Sequence, residues 1–240
     1  MTIILHQYRP LYGLPNASSF CLKLETYLRM AKLDYKAQQI KGPAKSSTGK
    51  GPYIEVDGKI VTDSGLIIDY LEQKHGHPLD GKLTLSERAQ SLAFQRLIEE
   101  HLYWATVYAR WIDPMHPAET ASYAFAVVGF KGLLGKLVPR IVKGQVKKAL
   151  WHHGLGRHQP EQLWQLGIAD VDALGHWLGA REWGFGNQPT VFDATLFSGI
   201  AAIVRTPWDF PLKAATLKHR NLVDHSERML ARYFPELAQT

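Results

Sequence analysis

The stretch from Gly51 to Ser64, Gly-Pro-Tyr-Ile-Glu-Val-Asp-Gly-Lys-Ile-Val-Thr-Asp-Ser, gathers groups that can hold a small polar ligand. Pro52 has no N–H to give to a β-ladder, so it belongs at the start of a strand. Asp57-Gly58 suits the positive φ angles of a two-residue hairpin. Asp63 and Ser64 stand where a helix should open. There the free N–H groups of the first turn and the two side-chain oxygens face one spot. A hairpin that offers an open backbone edge at Gly51-Pro52 beside a polar helix start is suited to pairing with a short peptide.

A second group lies upstream. Ser18 opens a predicted helix, and a helix N-terminus favours an anion such as a thiolate because of its partial positive charge and free N–H groups. A hydroxyl at that point can donate to the sulfur. Tyr8 and Tyr12, just after the first predicted strand, offer alternative hydroxyls, and spacing favours Tyr8. Cys21 lies one turn beyond Ser18. Ser-x-x-Cys lacks the second thiol of a disulfide-exchange pair, so Cys21 reads as a small buried side chain. Lys41, Lys45 and Lys50 precede Pro52 in a polar loop and are candidate partners for a ligand carboxylate, Lys50 being the one assigned to the site.

The elements that must position these groups follow from pattern. Ile3–Gln7 reads as a buried central strand. A helix over Ser18–Ala31 should bury Phe20, Leu24, Tyr27, Leu28 and Ala31. Leu33–Gln39 is a short strand, Lys41–Gly51 an exposed loop, and Tyr53–Val56 with Lys59–Ile60 the hairpin. Gly65–Lys74 is a helix expected to face Leu66, Ile67, Tyr70 and Leu71 inward. These elements form a small mixed sheet with helices on both faces. His75–Gly81 reads as a linker. From Thr84 onward the pattern is helical: a long amphipathic helix over Leu85–Ile112, two helices within Ala121–Trp151 parted near Gly132–Gly135 or Pro139, one or two within Gln159–Trp177, an apolar central helix over Thr190–Ile203, and a last one over Asn221–Tyr233. Thr190-x-x-Asp193 is a capping box for the central helix. Tyr103, Trp104, Tyr108 and Trp111 serve equally well as the wall of a second pocket or as core.

The hairpin, with its leading proline and its acidic-Ser pair, resembles the N-terminal domain of the glutathione transferase superfamily. The run Pro15-Asn16-Ala17-Ser18-Ser19-Phe20-Cys21, continuing to Met30, is similar to the failed-axon-connections and metaxin-like branch. Phe210–Lys213, Asn221-Leu222 and Arg228–Leu237 resemble the C-terminal helices of that branch. The resemblance implies a thioredoxin-like α/β domain over residues 1–76 and an all-helical domain over residues 84–240. It implies glutathione as co-substrate, bound by Gly51, Pro52, Asp63, Ser64 and Lys50. Asp63 would accept from the γ-glutamyl ammonium, and Ser64 would hold the α-carboxylate. Ser18, or alternatively Tyr8, would stabilise the thiolate for attack on a small apolar electrophile, as in detoxification. A homodimer is implied in the same way. Two positions depart from the family pattern: Ser19 stands where proline is frequent, and Gly51 where a bulky apolar residue commonly precedes the proline. Two other readings stay open. One is a non-catalytic interaction protein of metaxin type, and the other a glutathione-dependent lyase, isomerase or dehalogenase.

Bulk properties narrow the class. The chain has 240 residues, 45% hydrophobic and 21% charged, as in ordinary soluble globular proteins. The net charge of +6 permits anionic partners without requiring them, and no dense Lys/Arg run or basic-aromatic stripe points to nucleic acid. One cysteine cannot form an internal disulfide, which suits a reducing, cytoplasmic setting. The N-terminus lacks a signal-peptide pattern. The longest apolar run, Tyr123–Phe130, falls short of the roughly 20 residues a membrane span needs. The basic stretch Phe130–Lys148 reads as a packed helix with solvated lysines ahead of a membrane-surface helix. Scattered histidines at 75, 77, 152, 153 and 158 lack metal-ligand spacing.

Overall fold

A computed structural model of the chain describes residues 2–41, 44–113, 123 and 132–237, with residues 132–136 as backbone only. Four strands, β1 (Ile3–Gln7), β2 (Tyr35–Gln39), β3 (Tyr53–Val56) and β4 (Lys59–Thr62), form one sheet in the order β2-β1-β3-β4. β2 runs parallel to β1, while β3 and β4 run antiparallel to their neighbours. The sheet is therefore mixed, with β1 central. Alternation along β1 sends Ile3 and Leu5 to the face that also carries Ile54 and Val56 of β3.

Two helices cover that face, α1 (Ser19–Met30) and α2 (Ser64–Lys74). Leu24, Tyr27 and Leu28 of α1 join Ile67, Ile68 and Leu71 of α2 in one apolar cluster with the strands. The expectation of helices on both faces is corrected here. Among the described helices α1 and α2 pack together on one side, and the described residues of the β2–β3 connection form no helix. The opposite face carries His6 stacked on Tyr53, with ring centroids 4.2 Å apart. The inward set of α2 is also corrected: Leu66 is 62% exposed, and Ile68 takes its place. Leu66, Ile67, Tyr70 and Leu71 also recur at helical spacing, so the period leaves the phase open by about one residue, and packing on α1 and the sheet selects Ile67, Ile68 and Leu71.

The rest of the described chain is helical. α3 (Leu85–Arg96) runs through a π turn (Leu97–Leu102) into α4 (Tyr103–Trp111), so the expected long helix is continuous in path but widened midway. α5 (Gly132–His153) follows, then a single 3₁₀ turn at Leu155–Arg157, α6 (Pro160–Leu178), α7 (Val191–Val204), α8 (Pro211–Thr216) and α9 (Arg220–Tyr233). α5 begins at Gly132 and passes through Pro139 without a break, which rules out the division at Pro139; the residues before Gly132 that would carry the other helix lie outside the described residues. The part of Tyr123–Phe130 beyond Tyr123, and the first part of Ala121–Trp151, lie outside the described residues. α5 packs through Val142, Val146 and Leu150, while Lys143, Lys147 and Lys148 are exposed. α8 contains Pro211–Lys213 of the run that resembles a C-terminal helix of the family, and periodicity did not delimit it. It is six residues long, too short for a periodic signal. No described helix is long and apolar enough to cross a membrane.

α7 is buried nearly all round, as its continuous apolar run predicts. Its capping box is formed, and Asp193 does more than cap. The fully buried carboxylate accepts the Thr190 N–H at 2.7 Å and hydroxyl at 3.0 Å, the Gly184 N–H at 2.8 Å, and pairs with buried His225 at 2.9 Å. Asp193→Ala strands all of these donors, so a loss of about 3–5 kcal/mol is expected in urea unfolding. A loss below about 1 kcal/mol would contradict this account.

The linker is tied down as well. Glu72 accepts from the Tyr27 hydroxyl and from the N–H groups of Leu79 and Asp80, and Asp80 in turn accepts the Val191 N–H at 2.9 Å. Burial raises the Asp80 carboxyl from its usual 3.8 to about 6, with Glu72 adding to the shift and the Val191 N–H and Arg88 opposing it. The folded state thus holds this proton more tightly than the unfolded chain. Ionised Asp80 costs stability at pH 7, and that cost is relieved as pH falls through 6 toward 4. Asp80→Asn keeps an acceptor for Val191, so its melting temperature at pH 7 should equal or exceed wild type. The advantage should vanish between pH 6 and pH 4.

Candidate functional site

The β1–α1 connection is fixed at several points before it delivers Ser18. Leu11 and Leu14 pair through their backbones, and the Ala17 N–H donates to the Arg9 carbonyl. Asn16, 1% exposed, donates to the Tyr8 carbonyl at 2.9 Å and accepts the Ser18 N–H at 3.1 Å. It locks the strand end to the helix start. Asn two residues before a helix is an Asx-turn signal that the sequence reading passed over. From the other half of the molecule, Arg110 donates to the carbonyls of Ala17, at 3.1 Å, and Ala202, at 2.6 Å.

Ser18 is the N-cap residue of α1 by position, yet its side chain makes no capping hydrogen bond. Its hydroxyl lies within reach of the Cys21 thiol and at the wall of the cavity described below. Cys21 is fully buried, and burial pushes its thiol up to about 12, against the smaller pull of the Tyr8 backbone and the Ser18 side chain. It stays a thiol at neutral pH and is not a nucleophile.

The hairpin has the expected form. The Gly51-Pro52 peptide bond is cis, and Asp57 and Gly58 turn at φ of +50° and +73°. The Gly51 N–H donates to the Tyr8 hydroxyl at 3.2 Å. A Cβ at position 51 would meet Ile40 Cδ1 at 2.6 Å and the Tyr8 ring at 3.3 Å. Those two side chains occupy the space that a larger residue would claim, which is why glycine stands here. Accepting from Gly51 leaves Tyr8 its own hydrogen to donate, and burial raises its pKa, so it is a neutral donor.

At the start of α2, Asp63 takes φ +72° and accepts the N–H groups of Gly65, at 2.9 Å, and Leu66, at 3.2 Å, both through Oδ1. The second carboxylate oxygen remains for a ligand. Ser64 is 3% exposed, and its N–H and hydroxyl make no hydrogen bond to a described residue. An uncapped N–H and hydroxyl at a helix start form an anion-binding pair.

These groups share one cavity of about 620 Å³, lined on one side by Tyr8, Ser18, Lys50, Gly51, Pro52, Asp63 and Ser64. Its volume is that of a ligand-binding cleft. Lys41 and Lys45 do not line it. The opposite wall belongs to the helical half: Glu99 and Glu100 of the π turn, Tyr103, Trp104, Val107 and Trp111 of α4, Tyr123, and Gln145, Val146 and Ala149 of α5. The aromatic residues of α4 thus divide. Tyr103, Trp104 and Trp111 wall the cavity, while Tyr108 packs edge-on against Trp164 in the helical core. Glu99 is held by Lys23 of α1, 1% exposed, at 2.5 Å. Neither this buried ion pair nor the α5 wall was legible beforehand, because both depend on which helices meet.

The chain is similar to known proteins along nearly its whole length. Residues 19–116 match the family model "Glutathione S-transferase N-terminal domain", and residues 167–229 match "Glutathione S-transferase, C-terminal domain". The isoprene-epoxide–glutathione S-transferase of Rhodococcus sp. (strain AD45) is 33% identical, over 96% of this chain and 99% of that one. Failed axon connections of Drosophila melanogaster is 30% identical over 98% of this chain, which spans 58% of that protein. Human Metaxin-2 is 26% identical over 92% of this chain and 83% of its own. Among solved structures, the beta-etherase LigF of Sphingobium sp. strain SYK-6 superposes with a TM-score of 0.68 at 18% identity, covering 100% and 99% of the two chains, which speaks for the fold.

Gly51→Ala tests the close packing at the cavity floor. The added methyl must displace Ile40 and the Tyr8 ring, so a stability loss of about 1–3 kcal/mol is expected. Unchanged thermal unfolding would show that the two side chains yield freely.

Proposed function

The chain belongs to the glutathione S-transferase family, and we propose that it is a catalytic member that activates the glutathione thiol for attack on a small apolar electrophile. The observation that carries this reading is the single cavity onto which both the peptide-holding hairpin and two thiol-directed hydroxyls open. A fold kept only for contacts with other proteins has no need of free hydrogen-bonding groups at Ser64, buried at the start of α2. Ser64 lines the cavity, where a ligand can take the place of water on them.

The roles divide by chemistry. Ser64 N–H and hydroxyl hold the γ-glutamyl α-carboxylate, and Asp63 receives its ammonium. The backbone beside Pro52 pairs with the peptide in strand fashion, and Lys50 meets the terminal carboxylate. The thiol then lies toward the start of α1, where Ser18 donates to the sulfur. Tyr8 is the alternative donor, and its raised pKa keeps its proton in place for that task. Stabilising the thiolate lets glutathione react as the anion at neutral pH. The aromatic wall from α4 takes the apolar part of the acceptor. An epoxide is the acceptor class we favour, on the strength of the name of the Rhodococcus relative.

Calorimetric titration with glutathione tests the reading. Wild type should bind saturably, and the Asp63→Ala, Ser64→Ala double variant should bind at least tenfold more weakly. Absence of saturable binding by folded wild type would move the chain to the non-catalytic members of its family. The thiolate absorbance of bound glutathione separates the two donors. Ser18→Ala should shift its titration upward and lower kcat by about 10²–10³, whereas Tyr8→Phe should leave both nearly unchanged. The reverse pattern would assign the role to Tyr8.

A further inference from the structure

One side of α5 meets the protein. Val142, Val146 and Leu150 pack there with Val107, Trp111 and Tyr123. Leu137, Ile141, Gly144, Lys148 and Trp151 recur at spacings of four and three residues, so they share the opposite side. Three of these are large apolar side chains left in water: Leu137 is 44% exposed, Ile141 60% and Trp151 55%. The stripe runs for about 21 Å along the helix. Exposed apolar side chains scattered singly need no explanation, but three on one side of one helix do.

The charges around the stripe are all of one sign. From Gly132 to Pro160 the chain has six Lys and Arg residues and no Asp or Glu. The whole chain has a net charge of +6, so this stretch carries the entire excess and the remainder is balanced. Arg140, Lys143, Lys147 and Lys148 are exposed and form no ion pair with a described residue. Arg140 and Lys147 each stand one residue before Ile141 and Lys148, so they border the stripe. Arg157 reaches back from the 3₁₀ turn. Its Nε donates to the Trp151 carbonyl at 2.9 Å, and its guanidinium lies 5.4 Å from the centroid of the Trp151 ring.

We propose that this side of α5 docks on an anionic lipid surface. The three apolar side chains enter the boundary between headgroups and acyl chains, and the basic side chains extend to the lipid phosphates. Trp151 suits that boundary, because its ring is apolar and its N–H is polar. Other occupants fit less well. A second copy of the same face is repelled by like charge. One side of a single helix is convex and offers a folded protein no recess. A nucleic acid would answer the charge and leave the apolar side chains in water. The inference does not depend on the glutathione reading, but it gives that reading a setting. The inner side of α5 supplies Gln145, Val146 and Ala149 to the cavity wall. Docking thus brings the cavity to within roughly one helix diameter, about 10 Å, of the lipid, where apolar molecules concentrate.

Sedimentation with vesicles tests the docking. Wild type should bind vesicles of phosphatidylcholine and phosphatidylserine about tenfold or more tightly than vesicles of phosphatidylcholine alone. Ile141→Ser combined with Trp151→Ser should weaken binding to the anionic vesicles about tenfold. The triple variant Lys143→Gln, Lys147→Gln, Lys148→Gln should weaken it about 10²-fold, and added salt should act in the same direction. The triple variant Lys36→Gln, Lys59→Gln, Lys218→Gln removes the same charge from exposed positions on other elements, and should lose no more than about threefold. All of these positions are on the surface, so thermal unfolding of each variant should match wild type. Three outcomes would each overturn the docking face, whatever the glutathione titration shows. Wild type could fail to bind the anionic vesicles. Binding could survive Ile141→Ser with Trp151→Ser, which is a contact any polyanion could make. The two lysine triples could lose equally.

Discussion

The structure depends on α1 being buried on both sides. One face of the helix packs on the sheet through Leu24, Tyr27 and Leu28, and the other packs on α7 and α9 through Leu22 and Met30. A helix with no wet face cannot rotate or slide without opening two cores. Everything at its N-terminus is thereby fixed relative to both halves of the molecule. Ser18 inherits that position, and so do Asn16 and Ala17 just before it.

This double burial carries an electrostatic obligation. Lys23 lies on α1 where both neighbours are protein, so its charge must be met inside, and Glu99 of the π turn meets it. The widened turn carries Glu99 and Glu100 to the cavity, while His101 pairs with Asp170 of α6 at 2.6 Å on its other side. Glu25 answers a similar need at the other end of the helix. It accepts from Gln7 and Tyr35, while Arg29 reaches the Tyr233 carbonyl and Glu236 near the C-terminus. Hydrogen bonds and ion pairs of this kind lose more when one partner is removed than they contribute over an apolar pair. They specify which helices meet more than they stabilise the meeting.

The cavity is a consequence of the same seam. Its ligand-holding wall comes from short-range devices: a proline at a strand start, a two-residue turn, an acidic N-cap and a serine after it. Its other wall comes from α4 and α5, brought there by packing over long sequence distances. The chemistry divides in the same way. The hairpin and helix-start groups line one wall, and the aromatic side chains of α4 line the other. Arg110 joins the two by bracing the carbonyl before Ser18 from α4.

The sequence by itself determined the devices whose partners are close along the chain. The hairpin, the cap at Asp63, the capping box at Asp193 and the apolar run of α7 all follow from local rules of turn geometry, N–H satisfaction and periodicity. The same locality made Gly51 look anomalous, since its reason, the space taken by Tyr8 and Ile40, is tertiary. Leu66 was misread, because which side of α2 is buried is set by the neighbours that arrive, and helical spacing did not decide between a break at Pro139 and a continuous α5. Only the tertiary structure decided that Tyr103 lines the cavity and Tyr108 does not. It alone brought Lys23 to Glu99, 76 residues apart, and carried Arg110 to the carbonyls of Ala17 and Ala202. Burial makes a charge or a hydroxyl significant, and burial is a property of the packed whole that no single stretch of sequence contains.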